Sequence, residues 1–96
     1  PQNPLGLARF AALVRRRGVT LAPASQLLFS GNQFYLNGEH WAVPAHLKRL
    51  MRKLAHRRSL ALCQTENVTL DQHTLDDAIG LLYEAYCDGF LWPSQT

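Results

Sequence analysis

Lysine and arginine recur at positions 48, 49, 52, 53 and 57 of the stretch LKRLMRKLAHRR, and no acid interrupts them. Ammonium and guanidinium groups so placed donate to phosphate or carboxylate oxygens, which is the chemistry of docking rather than of bond breaking. Lys48, Arg49, Arg52, Lys53 and Arg57 are therefore the candidate partner-binding residues. Other chemistry finds no foothold. His40, His46, His56 and His73 are scattered, and no HxD, HExxH or CxxC pattern joins any of them to a second ligand. His46 and His56 lie ten residues apart on one expected helix, too far for a common metal, so each histidine reads as a surface or half-buried side chain. The glycines are isolated and form no phosphate loop, and the serines sit in no nucleophile elbow. Asp76 and Asp77 are neighbours on a helix and point in different directions, so they cannot share a proton as a catalytic pair. No catalytic residue, metal site or cofactor is expected in this chain.

The elements that carry these residues follow from periodicity. In PLGLARFAALVRRR, Leu7, Phe10, Ala11 and Val14 recur with the spacing of one helical face, and Gly18 stops the run after three arginines. A helix is expected over 5–17. The period then shortens. VTLAP, QLLFS, QFYLN and EHWAV are brief segments rich in branched and aromatic residues, punctuated by Pro23, Gly31-Asn32 and Asn37-Gly38. Asn37-Gly38 is the preferred pair for a type I′ turn, since both central residues need positive φ. Residues 34–36 should thus pair with 40–43, and Gly31-Asn32 adds a second turn to make a three-stranded meander.

A helix over 45–58 follows Pro44, which suits a first turn. Leu47, Leu50, Met51 and Leu54 form its buried stripe and the cations occupy the remaining surface, with Arg49, Arg52, Lys53 and Arg57 expected to lie exposed. Residues 59–73 carry mixed signals, a turn plus a short extended or helical piece. Thr74 then reads as the cap of a helix over 75–88, with Asp76 and Asp77 in its first turn where the helix dipole favours anions. Leu75, Ala78, Ile79, Leu82 and Tyr86 form its apolar face. Gly89 ends it, and residues 90–92 make a last strand before Pro93. The expected fold is α+β and winged-helix-like: three helices with a small antiparallel meander, in one domain over 1–96.

Charge is segregated along this chain. Its net charge of +3 divides into +9 over residues 1–58 and −6 over residues 59–96. The halves can attract each other, or the basic half can meet an acidic partner. Only 18% of residues are charged, below the roughly 25% typical of soluble domains, as suits a domain that buries part of its surface against another. No apolar run reaches the roughly 20 residues of a membrane span, and no signal peptide is visible. Cys63 and Cys87 form no CxxC pair and are expected to pack as small apolar residues in a reducing cytosol. The expected location is the cytoplasm, away from any membrane. The start at Pro1, without an initiator Met, suggests a piece of a longer protein.

Three stretches together carry a resemblance: FYLNGEHW, the basic helix ending LAHRRSL, and LLYEAYCDGFLW. They resemble the C-terminal winged-helix domain of bacterial ribosomal oxygenases, JmjC-type cupin enzymes that hydroxylate an arginine of a ribosomal protein. Phe34, Asn37, Gly38 and Glu39 match a first family element, and Leu81, Leu82, Tyr86, Gly89 and Phe90 a second. The resemblance spans residues 19–92. In that family iron is held by an HxD…H triad in the cupin domain, and this chain contains no HxD. The resemblance therefore implies a non-catalytic accessory domain that positions substrate or completes the enzyme's fold. Fe(II) and 2-oxoglutarate would belong to the parent enzyme. The implied partners are the cupin domain of the same polypeptide and a ribosomal protein. Two alternatives stand beside it, a small DNA- or RNA-binding regulator and a dimerisation module forming a homodimer. Against ordinary duplex recognition, the helix that would enter the groove carries Asp76, Asp77, Glu84 and Asp88 and no base.

Overall fold

The computed structural model describes residues 3–62 and 71–95. Cys63 and most of the ambiguous 59–73 stretch lie outside the described residues. The element order is α1 (Leu7–Arg17), β1 (Val19–Leu21), β2 (Leu27–Ser30), β3 (Gln33–Leu36), β4 (Glu39–Trp41), a 3₁₀ turn (Ala45–Leu47), α2 (Lys48–Arg57), β5 (Ser59–Leu60), α3 (Gln72–Cys87) and β6 (Leu91–Pro93). The architecture is α+β, with three helices and two antiparallel sheets.

One sheet is the meander foreseen in the sequence. Strands run in the order β2-β3-β4, with Ser30 opposite Gln33 and Leu36 opposite Glu39. Asn37 and Gly38 adopt φ values of 52° and 86°, the two positive angles a type I′ turn requires. Asn37 does more than turn. Its Oδ1 accepts from the Gln26 amide at 2.7 Å while its own amide donates to the Gln26 carbonyl at 2.8 Å.

The second sheet was not legible as a sheet. β1 lies between β5 and β6, with Val19 facing both Leu60 and Pro93. Gly18 admits this crossing: its φ of 74° and ψ of −166° suit only glycine, and a Cβ there would collide with the Leu60 carbonyl oxygen. The sheet thereby ties the end of α1 to the ends of α2 and α3.

Phe10, Val14, Val19, Phe34, Leu47, Met51, Leu54, Leu82 and Leu91 fill the core between the sheets and the helices. Two helical expectations need correction. Leu7, placed on the buried face of α1, is 52% exposed. Leu5 packs inward instead, because its backbone is gripped by α3: Leu5 N–H donates to the Tyr86 hydroxyl and the Tyr83 hydroxyl donates to the Leu5 carbonyl, each at 2.9 Å. Likewise, α3 begins before Thr74. Asp71 is the cap, accepting from the Thr74 amide at 2.6 Å, so Asp76 and Asp77 fall beyond the first turn. That backbone hydrogen bond holds the Asp71 carboxyl below its ordinary pKa. Cys87 ends α3 exposed, so it does not pack as a small apolar core residue. Among the described residues, no helix is long and apolar enough to cross a membrane.

Candidate docking face on the second helix

α2 presents its cations because its other side is fully committed. Met51 and Leu54 are completely buried, as is Leu47 in the preceding 3₁₀ turn. Leu50, counted in the buried stripe, is only half-buried. The helix lies against β2, which brings Phe29 to its side. Phe29, Arg49, Arg52, Lys53, His56 and Arg57 line a shallow depression of about 330 Å³. None of these six is an acid.

The five predicted residues do not act as one set. Arg49 and Arg57 are exposed as expected, whereas Arg52 and Lys53 are half-buried. Arg52 is held by the meander: its guanidinium donates to Asn32 Oδ1 at 2.9 Å, and its Cζ lies 6.0 Å from the Phe29 ring centre. The turn that reaches α2 is thus Gly31-Asn32, at the opposite end of β3 from Asn37-Gly38. Lys48 leaves the group, lining a separate depression with Asn32, Gln33, His40 and Trp41.

Phe29 is the residue that sequence reasoning missed. It stands opposite Phe34 across the β2–β3 pair, with ring centres 5.8 Å apart, yet remains 43% exposed at the sheet's margin. The run QLLFS gave one signal, since Leu27 and Phe29 share a face while Leu28 takes the other. Leu28 and Tyr35, opposite one another, are exposed on that outer face at 53% and 37%.

The acidic half stands elsewhere. Arg15 donates to Asp76 at 2.9 Å, joining α1 to α3. His46 approaches Asp77 at 2.8 Å, joining the 3₁₀ turn to α3, and His73 reaches the same oxygen at 3.4 Å. Asp76 and Asp77 therefore serve different partners. Among the described residues, Arg15–Asp76 is the single Lys or Arg ion pair, which leaves the cations of α2 without a carboxylate. Also among the described residues, no group of three His, Cys, Asp or Glu side chains could hold a metal.

Among the described residues, α2 therefore presents a cationic face beside one partly exposed ring. A family model described as ROXA-like winged helix matches residues 1–91. Neither a curated protein nor a solved structure matches the chain. With nearly the whole length matched and the helices and antiparallel sheets in agreement, this chain belongs to the ROXA-like winged-helix family.

Proposed function

We propose that the domain is a non-catalytic accessory module of a 2-oxoglutarate- and Fe(II)-dependent ribosomal-protein hydroxylase. It positions the substrate, or the neighbouring cupin domain of the same polypeptide, by docking through α2. Family membership over residues 1–91 supports this reading. The observation that carries it further is that, among the described residues, Arg49, Lys53 and Arg57 have no carboxylate partner and can attract an anionic surface. Among the described residues no cluster of side chains fits an iron site, and in this reading the metal and 2-oxoglutarate belong to the cupin domain.

A duplex-binding regulator is the rival reading. It would push Asp76, Asp77 and Glu84 of α3, and Asp88 at its C-terminal cap, toward phosphates if α3 entered a groove. That placement opposes it.

The test uses the enzyme that carries this domain, identified by an HxD-bearing cupin domain in the same reading frame. Reversing Arg49 and Arg57 to Glu should raise KM for the protein substrate several-fold and leave kcat within about twofold, the pattern of lost binding without lost chemistry. An unchanged KM, or a reading frame without that cupin domain, sinks the proposal.

A further inference from the structure

The geometry points to a short single-stranded nucleic-acid segment as the occupant of the α2 depression, with one base stacked on Phe29 and the phosphates along Arg49, Lys53 and Arg57. The inference rests on α2 being the docking face and goes beyond that reading by giving the face a second occupant, one that would compete with the protein partner for Arg49 and Arg57. Three features carry it.

The first is charge without compensation. Five of the six lining residues are Arg, Lys or His, and no described carboxylate pairs with Arg49, Lys53 or Arg57. The second is spacing. Arg49, Lys53 and Arg57 recur every four residues, a rise of about 6 Å per step on a helix, close to the phosphate step of an extended strand. The third is the ring. Phe29 keeps 43% of its surface exposed while Phe34 and Arg52 fix its position.

A charged groove with a fixed aromatic on its wall is how single strands are held without sequence readout. An acidic peptide would use the same cations but gains nothing specific from a flat ring. A duplex, its bases already stacked, cannot use Phe29. The acids of α3 do not line this depression, so the objection to duplex docking along α3 does not extend to a single strand on α2.

The experiment titrates the 96-residue chain against labelled ten-nucleotide oligouridine, its deoxy counterpart, a duplex of equal length and a polyglutamate peptide. Both single strands should bind, and more tightly than duplex or polyglutamate. Tighter binding of oligouridine assigns RNA, and equal binding assigns the shared phosphate-and-base chemistry. Three phosphate contacts give a log–log salt slope near −2, at about −0.7 per contact. Phe29→Ala should weaken binding roughly tenfold, as loss of one stacked base does, and Phe29→Tyr should restore it with an unchanged melting temperature. Arg49→Gln with Arg57→Gln should flatten the slope. Polyglutamate or duplex binding as tightly as single strands, or full affinity in a folded Phe29→Ala chain, would overturn the inference. Because this readout needs no hydroxylase activity, it can fail while the accessory role stands, and the reverse also holds.

Discussion

Arg58 closes α2 with φ at 63° and ψ at 5°, a left-handed conformation that an L side chain adopts at a cost. Its guanidinium gives the reason. It donates to the carbonyls of Ala22 and Ser25, each at 2.9 Å, and so fastens the helix end to the β1–β2 connection. The run of cations in the sequence does not distinguish this arginine from its neighbours, since the backbone sign change that turns it toward the β1–β2 connection is not a property of residue type. Arg58→Ala loses both bonds and keeps the strain, which should cost about 1–2 kcal/mol in a protein where a hydrogen bond is worth ~1. Arg58→Gly loses the same bonds but relieves the backbone, so it should recover roughly 0.5–1 kcal/mol of that loss. Urea denaturation of the two variants checks the order. If Ala proves the more stable, the strained cap is not a real term in the fold.

At the scale of elements, the readable parts were those whose local chemistry fixes geometry. Asn37-Gly38 set the turn and hence the register of β3 and β4, and the Leu47–Leu54 stripe set the buried side of α2. The sheet β5-β1-β6 escaped because its strands are two or three residues long and pair with partners distant in sequence; a strand at 90–92 was expected, but nothing local names β1 as its neighbour. Of the candidate site, the cations were legible and Phe29 was not, because its neighbourhood depends on how β2 meets α2. The start of α3 was misplaced for a different reason: Thr74 and Asp71 are both good caps, and the Asp71–Thr74 bond decides between them. Asp71 titrates below its ordinary value in the folded chain, so its charge adds stability above the unfolded pKa, near 3.8, and that stability fades as pH falls through the lower folded value. Asp71→Asn keeps the acceptor and removes the charge. Wild type should therefore melt higher than Asp71→Asn at neutral pH, and the two melting curves should converge in acid. A gap that persists well below pH 3.8 would assign the effect to something other than the cap's charge.

Across the whole molecule, a net charge of +3 conceals a basic and an acidic pole. Arg15–Asp76 is the one Lys or Arg bridge between the basic and acidic halves among the described residues, and at roughly half exposure it contributes little. The cations of α2 therefore repel one another. Arg49 is the worst placed: it sits in the first turn, where the helix dipole disfavours a cation, three and four residues before Arg52 and Lys53. A folded chain gains nothing from that arrangement, and positions kept for docking commonly cost stability in this way. Arg49→Glu should consequently stabilise the domain by about 1 kcal/mol, from the dipole and two new helical pairs. For a chain of this size that corresponds to a melting temperature roughly 4–8 °C higher. The gain should shrink in high salt, because the charges involved are exposed and screened. The same substitution should weaken binding at the α2 depression, so stability and docking move in opposite directions in one variant. A lower melting temperature for Arg49→Glu at low salt would mean that Arg49 is already neutralised within the fold, and the anion-docking reading of α2 would lose its physical basis.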